Sequence, residues 1–362
     1  MTARRSAIKH LLPGFVLFLF TMIAGTVSAA QPDSLQTKAD AAPHGYIEPQ
    51  QGPVVVLNDR GYMPGDVVSA NDDSLMVDHR YFGLLKLPLP TTAGVIFDWP
   101  ADSKRRDRRL DALLDYDEKV DTIRLKGGDS LAGIFEGIDD GRIRFRANLT
   151  NGGEPLNVPV ERVESIAFGR LDSRVGSLED DYLLVEMSDG TLMKCDSPAA
   201  ETVDQNDAKY SFRLPKEFVV SEDPSSQKIW TGESEGVRSI RLMPSETHLS
   251  DLVPLDYRFT PFLNQEWPYR LDRSVGGQRL RSGGRLYLKG IGMHSKSRLS
   301  FDLNAEYETM RGAIGIDDEA EGRGNAVFRV LGDDRLLMDK TVGDAEGPIP
   351  IEVDISGVKT LT

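Results

Sequence analysis

Between residues 53 and 245 the chain consists of short runs in which apolar and polar residues alternate, each closed by a Gly- or Asp-containing turn. Alternation with a period of two marks a strand with one buried face. The pattern is clearest from 121 to 168. Asp121–Leu125 leads into Gly127-Gly128-Asp129, and Ile138-Asp139-Asp140-Gly141 leads into Arg142–Phe145. Leu156–Val160 and Val163–Phe168 follow. The same parts recur earlier, as Gly65–Val68, Asn71–Asp73, Leu75–Val77, Leu87–Leu89 and Val95–Phe97. A looser third copy has Leu183–Met187, Asp189–Leu192 and Val237–Leu242, and its Val237-Arg238-Ser239-Ile240 echoes Val163-Glu164-Ser165-Ile166.

Four or five short strands per copy suit a small twisted barrel and are too few for a sandwich. In pattern the copies resemble SH3-like or Sm-like small barrels. The expected divisions are a first barrel over 53–100, a second over 121–170 and a degenerate third over 181–245. Between the first two, Ser103–Lys119 places Leu110, Leu113 and Leu114 at helical spacing, which predicts a linker helix over 101–120. Its N-terminal half carries Lys104, Arg105, Arg106, Arg108 and Arg109. These residues fit either a solvated helix face or a dock for an anionic partner.

From about residue 250 the pattern changes to strands that are spaced regularly by Gly and Asp turns. They are Arg285–Leu288, Ser297–Leu303, Thr309–Ile314, Ala326–Val330, Arg335–Met338 and Ile349–Ile355. That spacing predicts a β-sandwich, and the whole chain is expected to be all-β. Five motifs follow in order: Trp267–Asp272 running on to Gly277, Gly283-Gly284, Lys289–Ser295, Ile314–Asp318 and Val327–Asp333. Over 250–362 this series resembles the NPCBM family of carbohydrate-binding modules, which are appended to glycoside hydrolases. The resemblance implies a galactose-binding-domain-like jelly roll and a glycan partner. Family members continue beyond the Ser356–Leu361 strand, so the resemblance also implies that a C-terminal strand is missing here; a fragment is expected rather than a sandwich without that strand, which would expose a row of unpaired backbone groups.

The N-terminus is of another kind. Arg4, Arg5 and Lys9 precede the uncharged stretch Leu11–Val27, and small residues follow at 27–30. This is the pattern of a secretory signal peptide over 1–30, followed by a polar leader over 31–52. It predicts a secreted, periplasmic or cell-envelope protein with no stable membrane span after cleavage. Formal charge is −14, and loss of the signal peptide's three cations makes the remainder more acidic still. Such a surface repels phosphate backbones and argues against a nucleic-acid partner. The single cysteine, Cys195, allows no intramolecular disulfide and no Cys-rich metal site. Oligomeric state is not legible.

Sugar recognition needs an aromatic face and nearby polar groups for the hydroxyls. Trp267 and Tyr269 beside Arg270 supply those types in one loop, although both aromatics would serve equally as core. His294 in Gly-Ile-Gly-Met-His-Ser is either a ligand contact or a turn residue bonded to backbone. Asp317 and Asp318, with Glu319 and Glu321, form an acidic loop suited to sugar hydroxyls or to a structural Ca²⁺, without EF-hand spacing. No spacing places a catalytic carboxylate pair, a Ser-His-Asp set or a phosphate loop. The reading is therefore a non-catalytic glycan-binding protein with no cofactor. The alternatives are an envelope protein-interaction component or part of a longer glycoside hydrolase.

Overall fold

The computed structural model describes residues 15–24, 45–148, 154–169, 182–204, 209–218, 229–233, 236–243, 246–260, 267–321, 324–343 and 346–362. The expected cleavage residues 27–30, and the leader as far as 44, lie outside the described residues. The chain divides into two compact units. One holds Tyr46–Pro244, and the other holds Ser245–Thr362 with Met1–Gln31 and Ala41–Gly45. Secondary structure is almost wholly antiparallel β with one α-helix among the described residues, so the chain is all-β.

In the 46–244 unit sixteen strands join in one sheet system. The alternation seen in the sequence puts Val55, Leu75, Leu85, Ile123, Phe145 and Ile166 into a common core. The copies do not close as separate barrels. Val163–Ala167 of the second copy pairs with Asp121–Leu125 of its own copy and with Thr92–Ile96 of the first. Ala70 lies opposite Ile138, which joins the two copies again. The expected closed barrels are therefore corrected to an open, continuous path of strands among the described residues. Alternation specifies which face is buried and is silent on which strand lies alongside.

Turn chemistry is more local. Asp139 pairs with Arg142 across Asp140 and Gly141, whose φ values are 45° and 66°. Two left-handed residues make the tight hairpin that Asp-Gly favours. The helix spans Ser103–Leu114, and the Asp102 carboxylate caps it by accepting from the Arg105 N–H at 2.9 Å. It buries Leu110 and Leu113 and ends short of Lys119 at Asp115. Arg106 pairs with Glu48 at 3.1 Å, and Arg109 with Glu164 at 2.9 Å and with Asp98. Part of the basic half thus serves the helix's own unit.

A buried polar group crosses this core. The His79 ring stacks on Phe82, with centroids 4.4 Å apart. Its Nδ1 accepts the Tyr81 and Phe82 N–H groups, so Nε2 carries the proton and donates to Thr191 Oγ1 at 2.7 Å. Burial drives its pKa down to about 4, against the opposing pull of Asp189 and Asp78.

The second unit is a two-sheet sandwich. One sheet runs Arg270–Leu271, Ile291–His294, Phe15–Ala24, Tyr307–Ile316, Ile349–Asp354. The other runs Asp256–Phe259, Ser297–Asp302, Thr360–Leu361, Asn325–Gly332, Arg335–Gly343. Met293, Phe301, Met310, Phe328, Val342 and Ile351 are among the buried residues of its core. The last short strand is central to its sheet. Leu361 lies opposite Phe301 on one side and Gly332 on the other. The Asp333 carboxylate ties it down by accepting from the Thr360 N–H at 2.9 Å and the Lys359 N–H at 3.2 Å.

The first sheet also takes in a segment from the N-terminal region. Phe15–Ala24, the apolar segment expected to act only as an export signal, runs as a strand between Ile291–His294 and Tyr307–Ile316. Its physical basis is composition. FVLFLFTMIA is uncharged and rich in aromatic and β-branched residues, which suits a fully covered strand as well as a leader.

Candidate functional site

Strand register gathers the candidate residues at one end of the first sheet. Val16 lies opposite Met293 on one side and Ile316 on the other. His294 and Asp317 each stand one residue further along parallel strands. They are level with one another and two strand spacings apart, roughly 10 Å. Arg270 pairs with Gly292 and Leu271 with Ile291, so the chain before Arg270 runs alongside His294. That brings the half-buried Trp267 indole onto the His294 imidazole, with centroids 6.2 Å apart and planes 14° apart.

The other two residues of the aromatic loop face different surroundings. Tyr269 packs against the sandwich core and meets the Tyr257 ring edge-on at 4.8 Å. Arg270 is exposed, and its Nε donates to the Val275 carbonyl at 3.1 Å, which holds the guanidinium over the following turn. Trp267 and His294 therefore form one element of the site, with Arg270 at its rim and Tyr269 beneath it.

His294 is 6% exposed, and its Nδ1 lies 3.1 Å from the Ser295 carbonyl. A ring nitrogen facing a carbonyl must be the protonated one. Nε2 is then an acceptor, and it is buried with no hydrogen-bond partner. Asp317 is 2% exposed. Its Oδ1 accepts the Glu319 N–H at 2.9 Å and caps the short turn Asp318–Ala320, while Oδ2 is buried without a partner. Burial raises its pKa to about 7, helped by the Glu319 and Asp318 carboxylates and opposed by the backbone N–H groups of Glu319 and Arg281.

Asp318 turns elsewhere and accepts the Gly284 N–H at 3.0 Å. The two adjacent carboxylates thus diverge. Among the described residues no group of three His, Cys, Asp or Glu side chains converges on a metal position.

Residues that the sequence reading passed over complete the wall. Ser274 Oγ donates to Glu319 Oε2 at 2.5 Å and accepts the Gln278 N–H at 3.0 Å. Gln278 Oε1 is a third buried acceptor without a partner. Ser282 Oγ donates to the Ile316 carbonyl at 2.8 Å, in space that a Cβ on Gly315 would occupy. Arg279 and Arg281 are both buried on either side of Leu280. The sequence signal was present in Gln-Arg-Leu-Arg-Ser, where polar residues alternate around one leucine in a strand. An open groove elsewhere in this unit is lined by Arg335, Leu336, Met338, Lys340, Glu352 and Asp354, among others, and none of its lining residues is aromatic. Trp267 and Tyr269 are not among the residues that line it.

A family model matches the second unit. Residues 245–362 match the family model of the NPCBM/NEW2 domain. A curated relative, the Alpha-1,3-galactosidase B of Akkermansia muciniphila, is 36% identical over 97 residues, which is 25% of this chain and 12% of the relative. The chain thus matches about an eighth of that enzyme's length. Among solved structures, the CBM51-2 and INT domains of Clostridium perfringens ZmpB align at 17% identity over 52% of this chain and 40% of that one, with a TM-score of 0.29. The M60 catalytic domain of the same protein with its CBM51-1 and CBM51-2 domains aligns at 13% identity over 99% of this chain and 40% of that one, also with a TM-score of 0.29.

Proposed function

We propose that this is an exported, non-catalytic glycan-binding protein whose C-terminal sandwich holds a sugar between Trp267 and Asp317. The observation that carries the reading is a set of buried acceptors, His294 Nε2 and Asp317 Oδ2, at one end of a sheet beside a half-buried indole. A buried polar atom without a partner costs about 1–3 kcal/mol, and a ligand that supplies the missing donor recovers that energy. Sugar hydroxyls are such donors, and the C–H face of a pyranose packs on an indole. The NPCBM/NEW2 match supports the same ligand class.

Residues 4–30, with their cations, apolar run and small residues, support export to the cell surface or beyond. The second reading is that the chain is the non-catalytic portion of a larger glycosidase, and the galactosidase relative favours it. The two readings share the sugar site. A glycan array probed with the full chain, alongside a Trp267→Ala variant, tests that site. Sugar-specific binding that disappears in the variant supports it. Equal binding by both chains, or none by the wild type, removes it.

A further inference from the structure

We infer that the C-terminal sandwich is a strand acceptor. The slot between Ile291–His294 and Tyr307–Ile316 takes an extended, uncharged, apolar segment antiparallel to both neighbours, and the chain's own Phe15–Ala24 is the occupant seen. The inference is independent of the glycan reading.

The slot is interior to the sheet. Phe15–Ala24 has nine register partners along Tyr307–Ile316. On its other side, Phe15–Phe18 pairs with Ile291–His294, and Thr21–Ile23 pairs with Glu246–His248. A strand covered on both sides satisfies its own backbone groups and those of its neighbours. Removing it would expose the inward-facing N–H and C=O groups of residues 309–316, a row that templates another strand. Addition of an extended segment to such a row is an established mode of peptide recognition, in which main-chain bonds give affinity.

The occupant is joined to the sandwich only through residues that include the small-residue run at 27–30. Cleavage there cuts none of the pairs described between Phe15–Ala24 and its neighbouring strands. The segment then becomes a separate peptide in an interior slot, replaceable by a partner strand of the same chemistry. Phe15 also stands level with His294 and Asp317, so the occupant sets the separation of those two residues.

The test uses the full chain with a protease recognition sequence inserted between Ala30 and Gln31, cut after folding. The probe is a labelled synthetic peptide of residues 13–26 with lysines added at both ends. The expected result is that the cut segment stays associated during gel filtration and is then replaced by the labelled peptide. Amides in 309–316 should keep their slow hydrogen exchange throughout. A Leu17→Pro peptide should be incorporated at least tenfold less, since Leu17 faces Gly292 and Gly315 and proline removes a ladder donor. Immediate loss of the segment with unchanged protection at 309–316 overturns the inference. So does equal uptake of the proline peptide, or retention with no replacement after mild denaturant.

Discussion

The Trp267 indole and the His294 imidazole lie 14° from parallel with centroids 6.2 Å apart, one half-buried and the other almost wholly buried. Trp267 is the less buried ring of the pair, so its removal is tolerated better than loss of a core aromatic.

Trp267→Ala should therefore leave the sandwich folded. A fully buried Trp costs about 3–5 kcal/mol on truncation. Half-burial sets the expectation nearer ~2 kcal/mol by area. Glycan affinity should fall at least tenfold. Thermal melting and calorimetric titration of the same variant check both numbers. A variant that fails to fold would reassign Trp267 to the core.

Asp317 should make the C-terminal unit less stable as pH rises. Its folded pKa of about 7 lies above the ordinary value of 3.8. The folded state therefore holds the proton more tightly, and stability present below pH 4 is lost as pH rises through 7. The span corresponds to at most about 4 kcal/mol. Asp317→Asn cannot ionise, so its advantage over the wild type should grow between pH 4 and 8. Denaturant midpoints across that range, followed by tryptophan fluorescence, measure it. Parallel curves would exclude an ionising buried Asp317.

His79 predicts the opposite slope for the other unit. Its folded pKa of about 4 lies below the ordinary 6.5. The stability it confers is present above pH 6.5 and is lost as pH falls from there through 4. The loss is at most about 3 kcal/mol. Protonation also forces Nδ1 to abandon the Tyr81 and Phe82 N–H groups. Acid unfolding of the wild type, followed by circular dichroism, should begin below pH 6. His79→Gln should start from lower stability and show a flatter pH profile.

Gly94→Ala should disrupt the junction of the first two copies. A Cβ at Gly94 would lie 2.2 Å from the Ile166 carbonyl oxygen and 2.9 Å from Leu113. The oxygen belongs to the backbone of the paired strand and cannot swing away, unlike the leucine. Overpacking costs about 1–3 kcal/mol, and more where the backbone must move. A melting-temperature drop of several degrees is expected, with the C-terminal unit unaffected. An unchanged melting curve would mean that the 92–96 and 163–167 strands are not paired as described.

Much of this fold is legible in the sequence because its signals are local. Asp140-Gly141 announces a hairpin by its own conformational preferences, and the period-two runs announce strands within a residue or two of their ends. The pairing of Val163–Ala167 with Thr92–Ile96 is not legible, because alternation is the same whichever strand lies alongside. At the site, Trp267, His294 and Asp317 were singled out by type. Ser274 and Gln278 were not, because a serine and a glutamine among glycines look like loop until Ser274 bonds both Glu319 and the Gln278 N–H. The Phe15–Ala24 strand was hidden by ambiguity, since one run of apolar residues serves equally as leader or as strand.

The placement of Thr360–Leu361 has a bearing on synthesis. The second sheet has these two residues at its centre, joining Ser297–Asp302 to Asn325–Gly332, and Asp333 cannot bind the Lys359 and Thr360 amides until they exist. A growing chain that has emerged only to residue 340 therefore holds two unconnected fragments of that sheet, each with a raw edge. The domain cannot complete itself from its N-terminal side. It stays loose through most of its own translation, the condition in which a polypeptide can still be threaded through a narrow channel.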